Sequence, residues 1–315
     1  MYRVTRIFPV VICAFALSLA ESPAAFALPG GNEAFANQVI EYDQGDNAAK
    51  GYTDPLVALF SPERFTGEGI FPGVVSPFNP PFGLDEIVSI GVGGHLTVSF
   101  ENPITDDPAN PFGIDLLIFG NAGFIDANYP NGIVAGLFGG DGGIVEVSAN
   151  GVDWFEIKSV VADGIFPTNG YLDSGPYDQD PGSILTNFSL PVDPAITLGD
   201  LMGLNSSELK DIYAGSGGGV GIDLADVGLD SISFVRVYVP IDASLNVEID
   251  AFSDVSPMFD PADLNQDGSV STIDLLILFS LWGPCPNEPE DCPGDLDGDQ
   301  TVGTSDLLIL FAAWS

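Results

Sequence analysis

Val145-Glu-Val-Ser-Ala-Asn-Gly-Val-Asp-Trp154 sets the fold class of most of this chain. Two short runs of β-forming residues, Ile144 to Ala149 and Trp154 to Ile157, flank Asn150-Gly151. Both central residues tolerate positive φ, so the pair predicts a type I′ turn and an antiparallel hairpin. The pattern continues outward. Further strands are expected over Gln38 to Tyr42, His95 to Phe100, Ile114 to Phe119, Ser231 to Val239 and Asn246 to Phe252, separated by turn signals rich in Gly, Pro, Asn and Asp. Such strands predict a mainly β domain over residues 28–253, a jelly-roll-like antiparallel β-sandwich or a barrel. One helix is expected over Ser206 to Tyr213, with Asn205 as cap, Glu208 completing a capping box and Gly215 just beyond its end. The run Gly215 to Gly221 lacks the lysine of a phosphate loop and reads as a flexible surface turn.

The ends of the chain carry different signals. Residues 1–27 read as a secretory signal peptide: Arg3 and Arg6 precede an apolar run from Ile7 to Ala20, and Ala25-Phe26-Ala27 offers small residues for cleavage. The expected location is therefore extracellular or at the cell surface. The chain has 7 basic and 45 acidic residues, a net charge of −38. Nucleic acid and anionic membrane surfaces, which need clustered Lys and Arg, are excluded as expected partners. Beyond the leader, Cys285 and Cys292 lie in a Pro-rich connector and are expected to form a disulfide.

After a linker at 254–261, the tail at 262–315 writes one sequence twice. The copies are Asp263-Leu-Asn-Gln-Asp-Gly-Ser-Val-Ser-Thr-Ile-Asp274 and Asp295-Leu-Asp-Gly-Asp-Gln-Thr-Val-Gly-Thr-Ser-Asp306, each followed by Leu-Leu-Ile-Leu-Phe. Acidic side chains at positions 1, 3, 5 and 12 of a twelve-residue loop are the oxygen-rich cage that Ca²⁺ requires. The first loop offers Asp263, Asn265, Asp267, the carbonyl of Ser269, and Asp274, with Gly268 at the sharp turn. The second offers Asp295, Asp297, Asp299, the carbonyl of Thr301, and Asp306, but Gln300 replaces the glycine and must accept a backbone geometry it dislikes. The exit segments, Leu275 to Trp282 and Leu307 to Trp314, are apolar nearly all round and too short to span a bilayer. They are expected to bury each other, with an exposed docking face as the alternative.

This tail resembles the type I dockerin, a duplicated half EF-hand with calcium loops and exit helices but no entering helices. The resemblance implies two calcium ions and docking onto a cohesin-type partner, with partner choice at Thr272, Ile273, Thr304, Ser305 and on the exit helices. Phe279-Ser280 and Phe311-Ala312 stand where cellulosomal dockerins often place basic residues, a departure that bears on which partner is chosen. A weaker resemblance joins the Val145–Trp154 hairpin, Phe234-Val-Arg-Val-Tyr238 and Val247 to Ala251 to galactose-binding-like, discoidin-type sandwiches. That resemblance implies glycan binding by end loops and a structural calcium, without transferable ligand residues.

Other residues carry weaker signals. Asp115, and Asp223 with Asp226, interrupt apolar stretches, and a buried carboxylate needs a partner. A further metal site or hydrogen bonding to loop backbone would supply one. Trp154 is read as a core residue of the hairpin or a stacking surface for a sugar. His95 is the only histidine and opens an apparent strand, so a structural role outweighs a catalytic one. No catalytic residue is singled out. The expectation is a secreted, calcium-binding, non-catalytic binding or surface-assembly protein, its tail attaching to a scaffold or cell surface and its sandwich binding polysaccharide. A polysaccharide-degrading O-glycosyl hydrolase and a structural matrix protein are the alternatives.

Overall fold

A computed structural model describes residues 34–140, 142–255, 261–264, 270–285 and 292–314. The expected leader, most of the linker, and Asn265, Asp267, Gly268 and Ser269 of the first loop lie outside the described residues.

The larger part of the chain is mainly β. Its strands are β1 (Gln38–Asp43), β2 (Phe65–Thr66), β3 (Gly73–Val74), β4 (Val88–Ile90), β5 (His95–Thr105), β6 (Leu116–Gly120) and β7 (Gly123–Asp126). After these come β8 (Val134–Phe138), β9 (Ile144–Ser148), β10 (Phe155–Ile157), β11 (Val220–Ile222), β12 (Ser231–Tyr238) and β13 (Val247–Asp254). Five of them form one antiparallel sheet in the order β1-β5-β12-β9-β10, and four form a second in the order β11-β6-β13-β4. Helices α1 (Leu198–Leu201) and α2 (Ser206–Tyr213) interrupt the path between β10 and β11.

One apolar core joins the two sheets. Leu96 and Val98 of β5, Val145 and Val147 of β9, and Val235 and Val237 of β12 share a buried cluster with Leu116 and Ile118 of β6, Ile249 of β13 and Val88 of β4. In β12 these buried residues alternate with partly exposed Ser233, Arg236 and Tyr238, the period of two expected of a sheet with one face in water. Strand β6 is apolar throughout because it is covered on both sides: Leu117 and Phe119 enter a second cluster with Phe188 and Val255. Val255, two residues beyond Ser253, thus packs against this face.

The expected hairpin forms, but its turn differs. Val147 pairs with Phe155 and Glu146 with Glu156, and Asn150 is absent from the residues of positive φ, which a type I′ turn would require. Instead the Asn150 side-chain oxygen accepts from the backbone N–H groups of Val152 at 2.8 Å and Asp153 at 2.9 Å, while Gly151 donates to Ser148 Oγ at 2.9 Å. Side-chain capture of turn amides replaces the left-handed backbone. Helix α2 matches its expected span, with Asn205 accepting from Ser207 and Glu208 and the Glu208 carboxylate accepting from the Asn205 N–H.

The glycine run is not a surface turn. Residues 216–220 are buried, and Val220 to Ile222 form β11. A Cβ on Gly217 would stand 2.1 Å from the Phe188 ring, so glycine is what allows this backbone to lie against an aromatic face.

The tail has its own small core. Helices α3 (Thr272–Ser280) and α4 (Thr304–Ala312) contribute Leu278 and Leu310, both fully buried. Val270 and Val302, which hold equivalent places in the two repeats, pack with them. Strands β14 (Gly283–Pro284) and β15 (Thr301–Val302) pair antiparallel, and Cys285 and Cys292 form the expected disulfide.

Candidate calcium centre and exposed faces

The second loop gathers its carboxylates. Oxygen atoms of Asp295, Asp297 and Asp299 lie within 4.8 Å of one another, which suits ligands at 2.3–2.6 Å from one calcium ion. The backbone enforces this. Asp295 accepts from the Asp299 N–H at 3.1 Å and the Gln300 N–H at 2.8 Å, Asp297 accepts from Asp299 at 3.1 Å, and Asp299 accepts from Thr301 at 2.8 Å. Gln300 stands at φ +68°, the left-handed region that glycine fills more cheaply, as the sequence implied.

Asp306 braces the loop from the first turn of α4. Its Oδ1 accepts from Leu296 at 2.7 Å and Asp297 at 3.2 Å, and its Oδ2 accepts from Gly303 at 2.7 Å. Desolvation raises its pKa, but these N–H donors outweigh burial and hold the carboxyl below its ordinary value. An ionised carboxylate has about four lone-pair sites, so three donors leave room for a cation. Thr301, expected to lend its carbonyl, lies in β15. In the first repeat Asp274 is likewise fully buried, its Oδ2 accepting from the Ser271 N–H at 2.8 Å, and Asp263 is 4 % exposed. Asp295 also neighbours Cys285 and Cys292, but both sulfurs are consumed by the disulfide and cannot ligate as thiolates.

The exit helices do not bury each other completely. Leu276 and Leu308 are 63 % and 67 % exposed, and Phe279 and Phe311 are each 49 % exposed. Phe279 rests against Trp282 with ring centroids 5.8 Å apart, and Phe311 against Trp314 at 5.7 Å. Each repeat therefore turns one apolar stripe inward and keeps a matching aromatic stripe in water.

On the larger domain, strand register lines up Glu41, Thr97, Arg236, Glu146 and Glu156 across the five-stranded sheet. Arg236 donates to Glu146 Oε2 and Thr97 Oγ1, each at 3.2 Å, and its guanidinium lies 3.8 Å from the Trp154 ring centroid. One face of Trp154 is thus taken by a cation, which removes it as an open platform on that side. His95 opens β5, its Nε2 3.3 Å from Glu41 without hydrogen-bond geometry. Glu41, His95, Glu146, Arg236 and Tyr238 border a groove of about 340 Å³. A more open ring is Tyr129, 74 % exposed and edge-to-face with Tyr177 at 4.9 Å. Sequence reasoning missed it, although Tyr129-Pro-Asn-Gly132 is a turn signal that places an aromatic at the surface.

The acidic residues singled out in the larger domain divide. Asp115 and Asp223 come together, but their third neighbour is Asp106, not Asp226. Asp226 accepts instead from the Ser159 hydroxyl at 2.8 Å, because the 3-10 turn from Leu224 to Asp226 points it away. Elsewhere Glu63 is raised to about 7 by desolvation first and then by the charges of Glu86, Glu68 and Asp85, and buried Asp250 is pushed well above its ordinary value by the same desolvation. No helix among the described residues is long and apolar enough to cross a membrane. No family model matches the chain, and no curated protein matches it.

Proposed function

We propose that the chain is a secreted, calcium-dependent binding or surface-assembly protein that attaches through its dockerin-like tail and presents its galactose-binding-like, jelly-roll sandwich to a ligand. The pair of matched, water-exposed stripes, Leu276-Phe279-Trp282 and Leu308-Phe311-Trp314, carries this reading. Apolar groups of this size on a small module are the signature of a docking face. Calcium in the second loop, held by Asp295, Asp297 and Asp299 with Asp306 beside them, would fix α4 relative to the first repeat and so set the spacing of the stripes. The disulfide suits an extracellular setting. A polysaccharide is the proposed ligand of the sandwich, supported by the polar row around Arg236 and by the open ring of Tyr129.

Calorimetry of the full-length chain with a purified cohesin-type module, in calcium and in chelator, tests the docking half. Binding is expected only in calcium, and Phe279→Ser with Phe311→Ser should abolish it while leaving calcium uptake intact. Binding that survives those substitutions would remove the stripes from the interface.

An enzyme is the second reading, resting on a carboxyl cluster in which the Glu63 N–H donates to buried Asp250 and burial, then the charges of Glu86, Glu68 and Asp85, push the Glu63 carboxyl up to about 7. Incubation with insoluble polysaccharide, measuring both bound protein and released sugar, separates the two. Retention without release supports binding. Release that Glu63→Gln abolishes supports hydrolysis.

A further inference from the structure

We infer that the chain cuts itself between Asn110 and Pro111, in the connection from β5 to β6, by cyclisation of the Asn110 side chain. Proline has no N–H with which to attack the preceding side chain, so the usual route to deamidation is closed at this bond. The amide nitrogen of Asn110 is left as the internal nucleophile. Its attack on the backbone carbonyl of its own residue closes a five-membered ring, a reaction that gains its rate from proximity and orientation.

The fold supplies the other parts. Asn110 is 5 % exposed, and its Nδ2 donates to Asp115 Oδ1 at 2.9 Å, so a carboxylate stands where the attacking nitrogen must lose a proton. Asn110 Oδ1 is buried with no hydrogen-bond partner, so nothing anchors the other end of the amide against turning toward the backbone. Asp115 is itself fixed, accepting from the Asp107 N–H at 3.1 Å and the Leu224 N–H at 2.9 Å. Desolvation raises its carboxyl above the ordinary value and makes it the better proton acceptor. The carbonyl under attack accepts from the Gly113 N–H at 3.1 Å, a donor placed to stabilise the oxyanion. Just beyond the bond, Phe112 stands at φ +61°, a left-handed conformation that is costly for a bulky side chain and that cleavage releases.

In the step itself Asp115 Oδ1 takes a proton from Nδ2, and the nitrogen bonds to the Asn110 carbonyl carbon. The bond from that carbon to the Pro111 nitrogen breaks, and the Asp115 carboxyl returns the proton to the proline nitrogen. No atom is gained or lost: the products are a succinimide at residue 110 and a free amine at Pro111. That amine takes up a further proton at neutral pH and places a cation in a region where Asp106, Asp115 and Asp223 crowd together and no ion pair among the described residues reaches them. Two other Asn–Pro bonds occur in the chain, but Asn79 Nδ2 donates to the Val74 carbonyl, which is no base, and Asn102 is exposed. Strand β5 stays bonded to β1 and β12, and β6 to β11 and β13, so the cut halves hold together.

Purified full-length protein, incubated at mildly alkaline pH with protease inhibitors and followed by denaturing gel and intact mass, tests this. Two fragments are expected, one beginning at Pro111, and their early masses should sum to that of the uncut chain, whereas a protease would add one water. Asn110→Ala should stay whole, and Asp115→Asn should slow the cut roughly a hundred-fold or more. An unmodified chain that stays whole overturns the inference, and so does cutting of Asn110→Ala at the same bond. An undiminished rate in Asp115→Asn overturns the assignment of Asp115 as the base. Should Asp115→Asn misfold, the rate–pH profile of the unmodified protein decides: the rate should rise as one carboxyl ionises and then level off, and a rate proportional to hydroxide throughout refutes the carboxylate's part.

Discussion

Glu63→Gln should flatten the pH dependence of stability in the larger domain. The Glu63 carboxyl stands at about 7 in the fold against an ordinary 4.5, chiefly because it is desolvated and then because Glu86, Glu68 and Asp85 crowd it with negative charge. Between those two values the folded chain holds a proton that the unfolded chain has released, so stability falls as pH rises from about 4.5 to 7 and levels off above. At about 1.4 kcal/mol per pH unit, the whole interval is worth about 3 kcal/mol as an order of magnitude. For a domain of this size that corresponds to a drop in Tm of roughly 6–12 °C. Thermal melts followed by the β-sheet circular dichroism signal at pH 5 and pH 8, in chelator, measure it. Asp254, also raised to about 7 by desolvation and then by Asp115, adds a slope of the same sign. Buried Asp250, also raised, contributes in the same direction, so the wild-type Tm should fall between the two conditions and Glu63→Gln should remove part of the fall. A Tm that rises with pH, or an undiminished fall in the variant, would refute the assignment.

Two further substitutions probe the backbone. Gly217→Ala drives a methyl group into Phe188 and should cost about 1–3 kcal/mol, seen as a Tm lowered by several degrees. Gln300→Gly relieves a left-handed residue whose strain is about 1 kcal/mol, so thermal melts should find the tail module stabilised by about that amount.

The sheets were legible in the sequence because their strands are β-forming runs bounded by turn residues. β1, β5, β6, β9, β10, β12 and β13 were each foreseen, since alternation or a β-branched run between turn residues marks them. β11 was hidden by its glycines. A run such as Gly217-Gly-Gly219 carries no side-chain pattern, and its burial depends on Phe188 and Pro167 arriving from elsewhere in the chain. The type I′ turn was misread because Asn serves two purposes, left-handed backbone or side-chain acceptor, and the sequence does not say which. The gathering of Asp295, Asp297 and Asp299 in the second acidic loop was legible down to its left-handed Gln300, since spacing alone sets which carboxylates converge. The split of the exit helices into wet and dry stripes was not, because a segment apolar on every side gives no direction. Asp106 escaped notice for a related reason: it joins Asp115 and Asp223 only through the folding of the 106–115 connection.

Strand β5 lies second in its sheet, flanked on one edge by β1 near the start of the domain and on the other by β12 near its end. Thr97 meets Arg236 across 139 positions of chain. A polypeptide emerging from its N-terminus must therefore carry the longest of the described strands with one edge bare until nearly the whole domain has been made. Any proteolytic or engineered product that stops short of Ser231 inherits that open edge permanently, and self-association is the natural fate of such a fragment.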